Sequence, residues 1–470
     1  MNYIDIVSII MAVIGVVVAI FPIEYAIIFI AGLFAKQKTF PEAKEKLKYG
    51  VVIAGRNEEK VIGNLIESIK KCNYPQDKID IFVVAHNCTD NTANVARESG
   101  GGNSQVYEYN NPSERTKGYA LKYIFKKIDE DFGIMNYDGF IVFDADNILD
   151  SEFFNKINDA FIANERKCAI TSFRNSKNFG TNNITACYGL LYIANCTLES
   201  CGRMAMNCSA RILGSGFLVS SEMVKDGWNI TILSDDTDFT AEQIIGGNKV
   251  IYCNDAMYYD EHPTKFKAMW RQRFRWAKGT HIVCSKRFKD LFKTMFKRKR
   301  KNDTEKIQRF SAFDMICVVL PIGLIGLIIM LLNLFLLALT PLFGGDVGSA
   351  FVWWAIGFGF SSILAYLGLV CVAGICYYKE RKRIKNVSTK LKITSILIYP
   401  IFASLLILLQ LFSAFTRKFV WKQIEHKDVA KFETFNETSK DVLTENVLTS
   451  ESVELENDVT KEGIERGEVK

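Results

Sequence analysis

The stretch Gly139-Phe140-Ile141-Val142-Phe143-Asp144-Ala145-Asp146 decides how this chain folds. Four apolar residues, all β-branched or aromatic, stand between a glycine and two carboxylates spaced i, i+2. A short run that is apolar on both faces fits a strand buried on both sides, the kind found in parallel sheets covered by helices. The same grammar repeats upstream. Residues 49–54 are an apolar run rich in β-branched side chains, followed by the polar Gly55-Arg56-Asn57-Glu58-Glu59. Residues 61–70 then carry Val61, Ile62, Leu65, Ile66 and Ile69 at helical spacing. Residues 79–85 predict a second strand, ending in His86-Asn87-Cys88-Thr89-Asp90, and residues 91–99 a helix with Thr89 or Asp90 as its N-cap. A third strand over 105–109 and a helix over 117–128 lead back to the opening stretch. Strand and helix patterns that alternate in this way predict an α/β fold with a doubly wound, mostly parallel sheet. Ligands of such sheets bind beyond the carboxyl ends of the strands. Asn57, Asp90 and Asp144 all fall there.

Apolar runs of membrane length flank this polar domain. The 470 residues are 49% hydrophobic and 12% aromatic, enough for a core and several spans. Residues 6–33 contain one charge, Glu24, and exceed the ~20 residues a span needs. The run is long for a signal peptide and has no basic segment before it, which predicts a retained anchor. Lys36, Lys38, Lys44, Lys46 and Lys48 follow it, so the positive-inside rule places the next domain in the cytosol. Runs near 312–339, 350–377 and 393–415 predict further spans. The connection 340–349 has no Lys or Arg and is expected outside, whereas the basic 379–392 is expected inside. In the last run Pro400 is a place for a kink, and Arg417, Lys418 and Lys422 pull the following residues inward; a span is the expectation. The predicted organisation is an anchor over 1–35, a catalytic domain over 48–262, interfacial amphipathic helix over 263–300, about three spans over 311–416 and a disordered acidic tail over 435–470. That describes a multi-pass cell-membrane protein with its polar domain in the cytosol.

Charge and cysteine usage narrow the function. The net charge is +6, and basic clusters at 297–301 and 379–392 lie beside apolar runs. This points to an anionic bilayer surface as partner and not to nucleic acid. The 12 cysteines show no metal-ligand spacing, so they read as reduced core thiols, including the dense group Cys196, Cys201 and Cys208. His86, His262, His281 and His426 are dispersed and read as structural. A transport path would carry several ionisable residues within the spans, and apart from Glu24 and Asp314 the apolar runs have no charged residue. There is no Walker A or Rossmann glycine fingerprint; Gly214-Ser215-Gly216 is too short for either.

Three clusters carry the chemistry. Asp144 and Asp146, placed where the chain turns out of a strand, suit a hard divalent metal, Mg²⁺ or Mn²⁺, whose other positions take diphosphate oxygens. Such a metal offsets charge on a departing nucleoside diphosphate. Ser234-Asp235-Asp236-Thr237-Asp238 packs three carboxylates into four residues. It reads both as a helix start, with Ser234 as N-cap and acids at the positive dipole end, and as the place of a general base, Asp236. Gln272-Arg273-Phe274-Arg275-Trp276 lies in a basic, aromatic helix expected over 264–296. Much of that helix reads as interfacial, while Arg275 suits a diphosphate and Trp276 a sugar ring.

These residues resemble membrane-embedded family 2 glycosyltransferases of the GT-A fold, a group that includes cellulose, chitin, hyaluronan and poly-N-acetylglucosamine synthases. The likeness rests on Asn57-Glu58, the 87–92 segment with Asp90, Lys117-Gly118, Asp144-Ala145-Asp146, Gly214-Ser215-Gly216-Phe217, Asp235-Asp236, Glu261-His262-Pro263 and Gln272–Trp276, in that order over about 48–281. The resemblance implies inverting transfer from a UDP-sugar. It implies donor contacts from Asn57, Glu58, Asp90 and Lys117, metal and diphosphate binding by Asp144 and Asp146, and Asp236 as base beside Asp235. Gly216, Gln272, Arg275 and Trp276 would close the site near diphosphate and acceptor. The chain departs from the family in having His86-Asn87 where an acid is common, and Asp235-Asp236 where Glu-Asp is usual. The leading expectation is a processive polysaccharide-making enzyme. The alternatives are a non-processive enzyme acting on a membrane lipid and an inactive nucleotide- or polymer-binding scaffold; any accessory subunit is invisible in the sequence.

Overall fold

Tyr49–Gly55 (β1) pairs in parallel with Ile79–His86 (β2) on one side and Gly139–Asp144 (β4) on the other, and β2 pairs with Ser104–Tyr109 (β3), also in parallel. Alternation along these strands feeds two cores. Val52, Phe82 and Val142 point to one face, and Val51, Ile53 and Val83 to the other. The covering helices are Ile62–Lys71 (α2), Thr92–Gly100 (α3) and Lys117–Phe132 (α4). The expected α/β sheet is therefore what forms, each element within a few residues of its sequence bounds. At the head of α3 the Asp90 carboxylate accepts from Thr92 N–H (3.1 Å), so of the two candidate caps Asp90 does the capping, from one position before the first flanking residue.

The other half of the computed structural model, which describes residues 3–297, 308–344, 346–385, 387–416 and 430–436, is antiparallel in part. Phe217–Ser220 (β7) runs antiparallel to β4 and to Ala169–Ser176 (β6). β6 lies parallel to Val250–Asp260 (β8), with a bulge between Ser172 and Phe173, and Ile148–Leu149 (β5) closes the edge antiparallel to β8. The full order is β3-β2-β1-β4-β7-β6-β8-β5. Phe153–Ala163 (α5) packs over this half. Asn183–Ile193 (α6) continues through a π-helical segment, Ala194–Ser200, into Cys201–Ala205 (α7). Ser221–Val224 (α8), Asp235–Ile245 (α9) and Phe266–Phe296 (α10) complete the domain. All twelve cysteines are unpaired.

Among the described residues four helices are long and apolar enough to cross a membrane: Val13–Phe34 within Tyr3–Phe34 (α1), Ile322–Leu342, Val347–Lys379 and Thr389–Phe415. The run at 312–339 does not form one span. It divides at Pro321 into Arg309–Val319 (α11) and Ile322–Leu339 (α12), because proline supplies no N–H to continue the first helix. The α11 residues Ala312, Met315 and Val319 are buried with Ala241 and Ile244 of α9 and Val283 and Leu291 of α10, so the bilayer-length segment begins only after it. Val347–Lys379 (α13) and Thr389–Phe415 (α14) follow, and α14 passes through Pro400 as one helix. A short helix, Phe432–Asn436 (α15), stands after it. The rest of the expected acidic tail, residues 437–470, lies outside the described residues, as does His426.

The helix α1 is built into the α/β domain. At Gly32 of α1 a β-carbon would overlap the Leu198 carbonyl, and at Gly202 of α7 one would overlap the Ile28 carbonyl, so the two helices cross at backbone distance. Lys379 at the end of α13 donates to the carbonyls of Gly32 (3.2 Å) and Leu33 (3.0 Å), satisfying the open end of α1.

Candidate active site

Asp144 ends β4 and is held from behind. Its N–H donates to Ser215 Oγ (2.9 Å) and Asn147 Oδ1 (3.2 Å). Asn147 is wholly buried, and its amide N–H groups donate to Asp260 Oδ1 (2.7 Å) and Asp146 Oδ1 (3.3 Å). One amide therefore fixes both members of the carboxylate pair. Lys117, the first residue of α4, donates from Nζ to Asp144 Oδ1 (2.5 Å) and the Gly214 carbonyl (2.8 Å). Burial works against its ammonium, but Asp144, Asp235 and Asp236 outweigh burial and hold its pKa above the ordinary lysine value.

Asp235 and Asp236 open α9, where unsatisfied N–H groups favour anions. Asp236 Oδ1 accepts from Thr237 N–H (2.7 Å). Ser234 occupies the N-cap position, but its hydroxyl does not cap; it packs against Gly279 of α10, where a β-carbon would overlap it. Burial pushes the Asp235 carboxyl up to about 7, with Lys117 opposing and Asp236 and Asp144 reinforcing the rise. Burial raises Asp236 as well, against its bonds to Thr237 and the nearby Lys117 and Arg275. Asp238, the third carboxylate of the cluster, is turned the other way into ion pairs with Lys286 (2.7 Å) and Arg287 (2.5 Å) that fasten α9 to α10.

The spacing of 272–276 is explained by the helix. Residues at i, i+3 and i+4 share a face, so Gln272, Arg275 and Trp276 turn together to the cavity. Arg273 points away, bonded to the Phe402 carbonyl of α14 and lying 4.2 Å over the Phe402 ring. One helix thus reaches the site and the last apolar helix at once.

These groups meet in one cavity of about 970 Å³. Of the residues expected at a site, Glu58, Lys117, Asp144, Asp146, Asp235, Asp236, Gln272, Arg275 and Trp276 line it. Asn57, Asp90 and Gly216 do not. Asn57 laces the loops after β1 and β2 together, accepting from Thr89 N–H (2.7 Å). Asp90 accepts from Glu59 N–H (3.2 Å) besides capping α3. Gly216, at φ +62°, lies where a β-carbon would overlap the Tyr258 ring. Arg174, Tyr192 and His262 are among the lining residues that were not assigned to the site from sequence. Arg174 on β6 donates to Asp260 (3.1 and 2.5 Å) and lies 3.9 Å over the Tyr192 ring. His262, read from sequence as structural, stacks between Tyr188 and Tyr192 (centroids 5.2 and 5.3 Å). Only His262 sat in a quoted motif; Arg174 and Tyr192 carry no local signal.

Among the described residues no cluster of three or more acidic, histidine or cysteine side chains is placed to hold a metal unaided. Asp144 and Asp146 nevertheless suit part of the oxygen shell of a hard cation, the remainder coming from a ligand diphosphate and water. The cavity also reaches Tyr25 of α1, Val318 of α11 and Leu406 and Gln410 of α14, so it runs from the sheet to the apolar helices.

Carboxylates and a lysine at the strand ends of an α/β sheet, closed by an Arg/Trp helix face, define a glycosyltransferase joined to membrane-length helices. Residues 47–279 match the family described as "Glycosyltransferase like family 2", and the chain belongs to that family. It is 26% identical over 264 residues to the "Probable glycosyltransferase YdaM" of Bacillus subtilis (55% of this chain, 60% of the relative). It is 24% identical over 233 residues to the "Beta-monoglucosyldiacylglycerol synthase" of Synechocystis (49% and 47%). It is 22% identical over 300 residues to the "Poly-beta-1,6-N-acetyl-D-glucosamine synthase" of Staphylococcus epidermidis (58% and 67%). The chain thus spans about half to two thirds of these relatives. A solved structure, the "Mannosyltransferase PcManGT from Pyrobaculum calidifontis in complex with GDP-Man and Mn2+", is similar at a TM-score of 0.49 and 16% identity, covering 83% of this chain and 97% of that one.

Proposed function

We propose that this protein is a multi-pass membrane enzyme that transfers a sugar, with inversion, from a UDP-sugar to the hydroxyl of a growing polysaccharide, its catalytic domain facing the cytosol. The observation that carries the proposal is the single cavity in which two acidic pairs, Asp144/Asp146 and Asp235/Asp236, face Gln272, Arg275 and Trp276. On this reading Asp144 and Asp146 hold Mg²⁺ or Mn²⁺ and the donor diphosphate. The metal supplies charge stabilisation for the leaving nucleotide. Lys117 and Arg275 add fixed positive charge around the diphosphate oxygens. Asp236 takes the proton from the acceptor hydroxyl, and the nearby Asp235 tunes it.

A second acceptor, a membrane lipid, is favoured by one observation: the cavity reaches Tyr25 of α1 and Leu406 of α14, two of the helices long and apolar enough to cross a membrane. Purified full-length protein, given labelled UDP-GlcNAc, UDP-glucose or UDP-glucuronate with a divalent metal, separates the two by product size. A ladder of long products supports the polymer reading; a single-sugar lipid adduct rejects it. Asp146→Ala should abolish metal-dependent donor turnover, and unchanged metal dependence would reject the ligand assignment.

A further inference from the structure

His262 is held on every side but one. Its backbone N–H donates to Asn178 Oδ1 (3.1 Å), and its carbonyl accepts from Asn178 Nδ2 (2.8 Å). The ring is stacked between Tyr188 and Tyr192, and Trp276 meets both tyrosines edge-on at 87° and 81°. Nδ1 faces Asp260 Oδ2 at 3.5 Å. Nε2 is left over. The residue is 3% exposed and lines the cavity, yet this nitrogen has no hydrogen-bond partner. His86, which also lines the cavity, has its Nε2 2.8 Å from the Glu114 carbonyl.

The protonation state of the ring follows from its neighbours. Burial would raise Asp260, but Arg174 outweighs it and keeps the carboxylate ionised. Burial lowers His262 to about 4 against the pull of Asp260, so the ring is neutral at physiological pH. A neutral imidazole beside a carboxylate places its hydrogen on Nδ1. Nε2 then presents a lone pair, and what it lacks is a donor. Gln272 Oε1, a turn before Trp276, is a second buried acceptor without a partner on the same cavity wall. Buried acceptors are almost always satisfied, and two left open beside one cavity mark a place where a ligand brings donors.

We propose that His262 Nε2 recognises the acceptor by receiving a hydrogen bond from a hydroxyl of a sugar ring bound along Trp276, with Gln272 Oε1 receiving a second hydroxyl. This rests on the sugar-transfer reading and deepens it. A pyranose end offers several hydroxyl donors around an apolar ring, matching two acceptors set among aromatic side chains. Diacylglycerol offers one hydroxyl, which the transfer itself consumes. His262 is thus a specificity determinant on the acceptor side, separate from the carboxylates that handle the donor.

The test uses full-length protein in detergent with a UDP-sugar it turns over. The acceptors are a β-linked N-acetylglucosamine trisaccharide, a β-linked glucose trisaccharide and diacylglycerol. His262→Phe keeps a ring between Tyr188 and Tyr192 and deletes Nε2. Losing one uncharged hydrogen bond should raise the trisaccharide KM about 3- to 10-fold, while donor KM does not follow. A trisaccharide KM equal to wild type in folded His262→Phe overturns the proposal, as does efficient transfer to diacylglycerol with none to either trisaccharide. Should the variant not fold, the ¹⁵N-imidazole spectrum of the wild type decides. The trisaccharide must move the His262 Nε2 resonance, and an unmoved resonance overturns the proposal. Donor hydrolysis without transfer to a trisaccharide rejects this inference alone, whereas no turnover of any UDP-sugar rejects the function it rests on.

Discussion

The two carboxylates that open α9 set the pH behaviour expected of this enzyme. With Asp236 as the proposed base, only its ionised form accepts a proton, and burial raises its pKa while Asp235 is pushed up to about 7. A raised pKa means protonation at higher pH, so kcat/KM should fall on acidification at a pH above the ordinary carboxylate range and level off above that limb. Asp235→Asn removes a negative neighbour from Asp236 and should move this acidic limb to lower pH; a limb that stays in place would show that another group titrates. Asp236→Asn should cost roughly 10²–10⁴-fold in kcat, the usual worth of a general base, with donor affinity retained. At this scale the sequence was legible wherever geometry is local. Gln272, Arg275 and Trp276 share a face by helix period alone, and Asp144 and Asp146 sit at a turn out of a strand. It was not legible where partners come from far along the chain. Nothing within Ser234–Asp238 says that Asp238 turns to Lys286 and Arg287 while its neighbours turn inward. Arg174, Tyr192 and His262 meet only through packing of β6, α6 and the chain after β8.

Among elements, α1, α7 and α11 meet at a buried charged junction. Arg203 of α7 is almost wholly buried, donates twice to Asp314 of α11 (2.9 Å each) and once to Glu199 (2.9 Å), and Arg211 also reaches Glu199 (2.6 Å). Removing one partner from a buried ion pair leaves charge unpaired, which costs about 3–5 kcal/mol. Arg203→Met should therefore lower the thermal midpoint in detergent sharply, and a midpoint equal to wild type would mean the cluster contributes nothing. Glu199 also lines the cavity from the π-helical segment, so the same variant should impair turnover. The elements β1–β4 and α2–α4 were readable from short apolar runs and helical spacing, whereas β5–β8 and α5–α8 were not read, because their partners come from far along the chain. The apolar run at 312–339 was read as one span although Pro321 divides it and Asp314 lies on one side only. Which half faces lipid depends on α9 and α10, which cover α11 and leave α12 uncovered.

Across the whole molecule, a short segment after α14 returns to the sheet. Phe435 of α15 stacks on Tyr259 of β8 (centroids 4.2 Å, 21°), and Glu433 pairs with Lys71 of α2 (2.5 Å). The Asn436 side chain donates to the Leu149 carbonyl (3.2 Å) and accepts from Ser151 N–H (3.0 Å). These contacts cover β5, the edge strand of the sheet, whose backbone groups would otherwise lie open. β5 begins two residues after Asp146, and Tyr259 directly precedes Asp260, which holds Asn147 and Arg174. A helix of five residues does not persist alone, so its order comes from this docking. Phe435→Ala removes a ring pair worth about 0.5–1.5 kcal/mol beyond its buried area. It should increase amide hydrogen exchange at 148–151 and 258–260, with smaller change at 49–55 in the central strand. It should also weaken the apparent affinity for the divalent metal, because the edge that positions Asp146 loses its cover. Exchange at 148–151 that matches wild type would mean the segment rests on the edge without holding it, and the metal affinity should then be unchanged as well.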